Sequence, residues 1–223
     1  MIHFERSKIG AYWKTFSAAF NFRRHAGRLD SLETIEDFAI TRAAFIAQKG
    51  LFGYVKTRMG TKYPEMFRDD LMVKSLNIAK MHVYAACLSD LTIWTVANAL
   101  NSVVIIDSHR YDLAERIFTA GLAQNSEPDV TEFSPADAIA AFKGRLGEVE
   151  WAGSATTRDI FTESPAAVIK WAPISDNLKR YDVESVTNSI KFSWNNIRSQ
   201  FISRLDPEAL RVEVETKTRL NSL

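Results

Sequence analysis

The longest apolar stretch of the chain covers residues 70–106 and predicts one long helix at the centre of the molecule. In its second half the only formally charged side chain is Asp90, with His82 as the other titratable group. Small and large apolar residues alternate along the stretch, which is typical of a helix packed closely on all sides. With a start signal at Asp69, the helix is predicted over residues 70–101.

The same stretch is long enough to cross a bilayer, which takes about twenty mainly apolar residues. Asp90 would then lie near the membrane centre, where a carboxylate costs roughly 2.5–3.5 kcal/mol on insertion scales. His82, Asn98 and Asn101 would also lie inside the membrane. The pattern therefore favours the central helix of a bundle over a membrane span.

A second long helix is predicted over residues 31–59. Asp30 and Glu33 form a capping pattern at its start, and Gly60 is a stop signal at its end. Apolar residues recur along it at seven-residue spacing, as in helices that pack along their length. Because the connection over residues 60–68 is short, the two long helices are expected to pack antiparallel.

Further amphipathic segments are predicted to be helical over residues 107–124, 134–146, 164–173 and 182–205. The β-branched run 103–106 has no partner strand, which favours a helix continuation or a buried crossing. The fold prediction is an all-α bundle of about six to seven helices built on the two long antiparallel helices. Residues 29–206 are expected to be a single helical domain, followed over residues 207–223 by a short helix and a frayed tail.

Residues 1–28 are predicted to form a separate, basic amphipathic helix. They carry six Lys or Arg residues against Glu5 alone, so this segment has a charge of +5 and the remainder −4. Such a helix either docks its aromatic face on the core or lies on an anionic membrane surface or in a partner's groove. The residues predicted to contact a membrane or an acidic protein partner are Arg6, Lys8, Lys14, Arg23, Arg24, Arg28, Trp13 and Phe16.

The overall composition limits the partners, disulfides and cellular location that can be expected. Of the 223 residues 46% are hydrophobic and 25% charged, as in globular proteins, and the net charge of +1 argues against a nucleic-acid partner. The single cysteine, Cys87, excludes an intramolecular disulfide, and we expect no disulfide-linked partner. Because Lys14 and Thr15 interrupt the first apolar residues, we expect no secretory signal and a cytoplasmic location, including the periphery of a membrane. The acid-poor N-terminus keeps an organellar matrix as the alternative.

Sequence motifs of common enzymes and cofactor sites are absent. The chain has no GxSxG, P-loop, GxGxxG or HExxH motif. None of its four histidines follows an acidic residue by three positions, which excludes the Glu-x-x-His pairs of di-iron bundles. We therefore expect no cofactor and no metal, and the sequence identifies no catalytic residue.

Asp90 and His82 form the one internal polar group that suggests a site. They lie eight residues apart, about 12 Å along one helix, so they share a face without touching. A buried carboxylate needs a partner, most often a structural Arg, Lys or helix end, and Arg42 and Lys49 are the candidates on the facing helix. Arg42, Lys49 and Lys56 recur every seven residues and form either a solvated helix face or a ladder for phosphates or carboxylates.

The sequence leaves two functions open. The first is a non-enzymatic helical binding or assembly module, an adaptor, whose basic aromatic N-terminal helix engages an anionic membrane surface or an acidic protein partner. The second is an enzyme or a small-ligand-binding protein with a polar pocket between the two long helices, around Asp90, His82 and Arg42. A third function, RNA binding by the N-terminal helix, is less favoured by the sequence, because the rest of the chain is acidic. The oligomeric state does not follow from the sequence.

Overall fold

The structure is a computed structural model that describes residues 27–101, 103, 105–125, 127, 129–154 and 160–221. Within these ranges every regular element is helical, and β pairing is confined to an isolated bridge between Leu29 and Leu205. The prediction of an all-α bundle is confirmed. The α-helices are α1 (Leu32–Met59), α2 (Asp70–Ala99), α3 (Asp107–Gln124), α4 (Pro135–Leu146), α5 (Trp151–Ser154), α6 (Glu163–Trp171), α7 (Asp176–Lys179), α8 (Val183–Arg204) and α9 (Pro207–Asn221).

Seven of these described helices span nine residues or more, and α5 and α7 are single turns of four residues. A 3₁₀ helix over Gly60–Arg68 joins α1 to α2. The predicted N-terminal helix over residues 1–28 lies outside the described residues, apart from its last two positions.

The two long helices α1 and α2 have 28 and 30 residues, so they are about 42 and 45 Å long. Ser31 caps α1 in place of the predicted Asp30: the Thr34 amide donates to the Ser31 hydroxyl, and the Ser31 amide donates to the Thr34 hydroxyl. α1 ends at Gly60, whose φ of 55° favours glycine. Two backbone amides at the start of α2 donate to Asp69, as its position in the sequence predicts.

α2 is the central helix, as the apolar stretch predicts. It packs against α1, α3, α4, α5 and α6, and every residue from Cys87 to Ala97 is buried. A polar side chain in this part of α2 must therefore find its partners inside the bundle. The helix ends at Ala99, and residues 103, 105 and 106 are not helical. None of the helices in the described ranges has a stretch long and apolar enough to cross a membrane.

The first described residues are hydrogen-bonded and ion-paired to the turn between α8 and α9. Leu29 exchanges two backbone hydrogen bonds with this turn, of 2.8 and 2.9 Å. Arg28 pairs with Asp206 at 2.7 Å, and Glu213 on α9 accepts a hydrogen bond of 2.8 Å from the Leu32 amide at the start of α1. A carboxylate at this position also complements the positive end of the α1 dipole. These contacts hold α9 against the beginning of α1.

α9 is longer than the predicted short helix with a frayed tail, since it continues to Asn221. Ion pairs at three- and four-residue spacing stabilise such a helix along its exposed face. The pairs are Arg211 with Glu208 and Glu215, and Lys217 with Glu213.

Candidate functional site

Asp90 lies in a buried ion-pair network that joins α2 to α4 and α6. Its side chain is fully buried, and one carboxylate oxygen lies 2.8 Å from Nη1 of Arg145 on α4. The other oxygen accepts a hydrogen bond of 2.8 Å from the backbone amide of Ser164 in the first turn of α6. Arg145 also donates to the Ser89 hydroxyl and to the Ile160 carbonyl. The carboxylate therefore both pairs with α4 and caps α6.

The surroundings of Asp90 determine its charge. Burial raises the pKa of Asp90 to about 6, although Arg145 and Ser164 act in the opposite direction. At neutral pH the carboxyl group is therefore ionised. Its negative charge is balanced by the guanidinium group and by the positive end of the α6 dipole.

The predicted kind of partner, a structural Arg or a helix end, is found, but the residues named for it, Arg42 or Lys49 on α1, are wrong. The reason is that α4, and not α1, presents a cation to this part of α2. Arg145 lies next to the buried residues Phe142 and Leu146, at the edge of the apolar face of α4. An arginine at such a position is the sequence signal that indicates a buried charge partner.

His82 lies in an aromatic stack. Its ring is parallel to that of Trp171 with 3.5 Å between centroids, and it meets the ring of Phe133 edge-on at 5.1 Å. Burial lowers the pKa of His82, a hydrogen bond with the backbone of Glu132 opposes this, and Lys170 adds to the lowering. The imidazole is thus neutral at pH 7. In the described part of the chain no group of three His, Cys, Asp or Glu side chains is placed to hold a metal ion.

Arg42, Lys49 and Lys56 do not share one environment. Arg42 is only 4% exposed, and its guanidinium carbon lies 5.3 Å from the ring centroid of Phe38. Burial and the neighbouring Arg204 lower the pKa of Arg42. Lys49 and Lys56 are exposed, each with its ammonium 5.8 Å from an aromatic ring centroid. The three residues of the predicted polar pocket, Asp90, His82 and Arg42, therefore have separate surroundings. None of these three lines the grooves described below.

A groove of about 540 Å³ lies between the second half of α1 and the first half of α8. Two glycines shape it. At Gly50 a Cβ atom would lie 2.4 Å from Cδ1 of Ile190, so the helices approach closely there, whereas Gly53 has open space at that position. We call this the α1–α8 groove, and its lining residues are Lys49, Gly50, Gly53, Tyr54, Thr57, Arg58, Asp182, Ser185, Val186, Ser189, Ile190 and Ser193.

One end of the α1–α8 groove holds a hydrogen-bonded ion pair. Arg58 donates to both carboxylate oxygens of Asp182, with Nε 2.5 Å from Oδ2, and the Tyr54 hydroxyl donates to the same Oδ2 at 2.8 Å. Arg58 lowers the pKa of Asp182. Burial and the bond to Asp182 raise the pKa of Tyr54 to about 12. At neutral pH this end therefore combines one cation, one anion and a neutral phenol.

The remaining wall of the α1–α8 groove offers hydrogen-bonding groups to a ligand. Lys49 pairs with no carboxylate, and the Ser189 hydroxyl makes no hydrogen bond, within the described ranges. Ser185, Ser193 and Thr57 donate their hydroxyl protons to carbonyls of the preceding turn. Their oxygens keep lone pairs that can accept hydrogen bonds. The groove thus presents free donors at Lys49 and Ser189 and acceptors along both walls.

The residues predicted to contact a membrane or partner are mostly not described. Arg6, Lys8, Lys14, Arg23, Arg24, Trp13 and Phe16 lie outside the described residues. Arg28 is described, and its side chain is 75% exposed and lies 2.7 Å from Asp206. One of the six cations of the N-terminal segment thus has a carboxylate partner on the bundle.

Two sequence signals mark the α1–α8 groove, although neither leads to it without the structure. Gly50 and Gly53 stand three residues apart inside a long helix, where glycine is unfavourable without a packing or functional reason. Ser185, Ser189 and Ser193 recur every four residues, which puts them on one face of α8.

No protein-family model, curated protein or solved structure matches the chain.

Proposed function

We propose that the protein is a non-enzymatic helical binding protein that holds a small hydroxylated anion in the α1–α8 groove. The observation that carries this proposal is the position of Lys49. It is an exposed ammonium group with no carboxylate partner among the described residues, and it lies at a groove whose walls carry hydroxyl groups. An anion on the ligand would supply the missing counter-charge, and a charge-assisted hydrogen bond is stronger than a neutral one.

The distribution of charge supports an anionic ligand. Between Asp37 and Glu65 the chain has five Lys or Arg residues and no acidic residue. Three of the five, Lys49, Lys56 and Arg58, lie in the second half of α1 and contribute positive potential along the groove. The one carboxylate that lines the groove, among the residues described, is Asp182, and Arg58 balances its charge. The positive charge of Lys49 is therefore left for a ligand.

The size and hydrogen-bonding pattern of the groove narrow the class of ligand. Its volume of about 540 Å³ lies in the range of roughly 300–1,000 Å³ that small-molecule sites occupy. Lys49 and Arg58 are separated by about 13.5 Å along α1. Lys49 and Ser189 can both donate to an anionic group, and the oxygens of Ser185 and Ser193 can accept hydrogen bonds from ligand hydroxyls. A sugar phosphate combines these two kinds of group.

Glucose 6-phosphate is expected to bind the full-length chain more tightly than glucose or inorganic phosphate. Glucose has only the hydroxyl groups, and inorganic phosphate has only the anionic group. Gly53→Leu is expected to abolish this binding, because the new side chain fills the groove. It should not unfold the protein, since its Cβ has open space and leucine favours a helix over glycine by about 1 kcal/mol. Isothermal titration calorimetry measures the binding, and thermal unfolding measures the stability.

Gly144→Leu is the matched control for Gly53→Leu. Gly144 also lies inside a helix, α4, with open space at its Cβ position, and it does not line the groove. This substitution should leave binding unchanged. Lys49→Gln should bring the affinity for glucose 6-phosphate close to that for glucose. Binding that survives Gly53→Leu, or equal affinity for all three probes, would contradict the proposal.

The N-terminal segment supports a second function, that of an adaptor on an anionic membrane surface or an acidic protein partner. The observation that favours it is the charge of +5 over residues 1–28. Of the six cations in this segment, Arg28 alone is described, and it pairs with Asp206. This function would place the protein in the cytoplasm, at the periphery of a membrane. It does not compete with ligand binding in the groove, which involves other residues.

Full-length protein in which Lys14, Arg23 and Arg24 are all replaced by Glu is expected to lose binding to phosphatidylglycerol vesicles at low salt. The reason is that attraction between exposed charges is lost when the sign is reversed, and it is also screened by salt. Vesicle flotation at low and high salt measures this. A control variant with three other cations replaced by Glu, Lys62, Arg68 and Arg180, should keep its binding. Equal loss in both variants would rule out a specific role for the N-terminal segment.

A further inference from the structure

A second groove, of about 460 Å³, lies on the other flank of α8, between this helix and α6. We call it the α6–α8 groove. α6 and α8 run antiparallel here, because Trp194 Nε1 donates to the Ser164 hydroxyl near the start of α6, and Lys179 Nζ, ahead of α8, donates to the Lys170 carbonyl near the end of α6. The apolar walls of the groove are formed by Phe161, Pro165, Ala166, Ile169 and Val183.

Two lysines stand at opposite ends of these apolar walls. Lys191 lies on the part of α8 that faces the start of α6, and Lys170 lies in the last turn of α6. Lys170 Nζ is 5.2 Å from the Trp171 ring, and neither lysine pairs with a carboxylate in the described part of the chain. Glu163, at the start of α6, is engaged by Arg145 at 3.4 Å. An apolar trough between two uncompensated ammonium groups is complementary to an anionic amphiphile.

We propose that the α6–α8 groove binds a medium-chain carboxylate, the anionic form of a fatty acid. The acyl chain lies along the apolar walls, where its removal from water supplies the affinity. The carboxylate pairs with the ammonium group at one end of the groove. This ammonium group therefore selects a negatively charged head group. The row formed by Val183, Thr187 and Lys191 extends for about 12 Å along α8, which fits a chain of medium length.

This site shares no lining residue with the α1–α8 groove, so the two proposals rest on separate observations. The apolar walls and the two lysines carry the second proposal, and the hydroxyl groups and Lys49 carry the first. Either can fail without the other.

Sodium decanoate, titrated below its micelle-forming concentration into the full-length chain, is expected to shift amide NMR signals in α6 and the first half of α8. Decyltrimethylammonium has the same tail with a cationic head, and butyrate has the same head with a short tail. Each should bind at least about tenfold more weakly. The double variant Lys170→Gln with Lys191→Gln should lose about tenfold in affinity for decanoate, and each single variant less, because the other lysine remains.

Ala166→Trp tests the position of the acyl chain. Ala166 is exposed and lines the groove, so the indole fills the groove without entering the core, and decanoate binding should disappear. Ala141→Trp, at an exposed position of α4, is the control and should leave binding unchanged. The proposal is overturned if decanoate binds Ala166→Trp normally, or if decyltrimethylammonium binds as well as decanoate. It is also overturned if phosphatidylglycerol vesicles bind this face and decanoate does not displace them, since the face would then belong to a membrane.

Discussion

Arg145→Met is expected to lower the free energy of unfolding by about 3–5 kcal/mol, which is the cost of leaving a buried charge without its partner. In the native structure the Arg145 side chain is 17% exposed and lies 2.8 Å from the fully buried Asp90. Methionine fills a similar space but removes the guanidinium group. Asp90, the Ser89 hydroxyl and the Ile160 carbonyl then lose their common donor. Urea denaturation followed by circular dichroism measures the loss.

The loss should depend on pH, and the sign follows from Asp90. Its pKa in the folded protein is about 6, above its ordinary value, so the fold loses stability from this group as pH rises from about 4 to about 6. Arg145 lowers the pKa of Asp90, so this pKa rises further in the variant. The stability of the variant therefore continues to fall above pH 6. Arg145→Met is therefore expected to destabilise the protein more at about pH 8 than at about pH 5, where the buried carboxyl group of the variant is protonated.

Lys143→Met is the matched control on the same helix. Lys143 pairs with Glu115 at partly exposed positions, so its loss should leave stability nearly unchanged. Adding Asp90→Asn to Arg145→Met should recover part of the lost stability, because the neutral amide needs no guanidinium partner and can still accept from the Ser164 amide. An Arg145→Met variant as stable as Lys143→Met would show that the buried pair does not contribute, and a double variant less stable than the single one would contradict the charge argument.

The long helices could be predicted from the sequence because their signals are local. Asp69 and Gly60 mark a helix start and a helix end, and both lie where the structure has them. The burial of α2 from Cys87 to Ala97 follows from a long run with a single formal charge. Local signals place the cap of α1 only to within one residue, since Asp30 and Ser31 both have suitable side chains and the structure uses Ser31.

The partners of buried side chains could not be predicted, because they depend on which helices meet. The burial of Asp90 requires a partner, but the choice between Arg42 and Arg145 depends on how α4 lies across α2. No periodic pattern along a single helix contains that information. In the same way, Gly50 and Gly53 can be recognised as small residues in a helix, yet only the position of α8 makes them the floor of a groove.

α8 is the element on which both proposed sites depend, since one flank lines the α1–α8 groove and the other lines the α6–α8 groove. Its position is held by two aromatic side chains. The ring of Phe201 meets Phe38 of α1 and Trp94 of α2 edge-on, at 5.2 and 5.1 Å. The indole of Trp194 donates a hydrogen bond of 2.9 Å to Ser164 of α6. A change in these contacts should affect both grooves, although none of these four aromatic residues lines them.

Phe201→Ala is expected to lower the free energy of unfolding by about 3–5 kcal/mol, because it leaves a cavity where α8 meets α1 and α2. Phe201 is fully buried, and its two edge-to-face ring contacts are lost as well. Because α8 then packs less tightly against α1 and α2, the binding of glucose 6-phosphate and of decanoate should both weaken. Urea denaturation measures the stability, and titrations under conditions where the variant remains folded measure the binding.

Phe192→Ala is the control for Phe201→Ala, because it removes the same ring from the same helix at a position that is 74% exposed. It should change neither stability nor binding appreciably. If Phe201→Ala were no more destabilising than Phe192→Ala, α8 would not be seated on α1 and α2 through this ring. If instead stability fell and both affinities stayed unchanged, the grooves would not depend on the seating of α8.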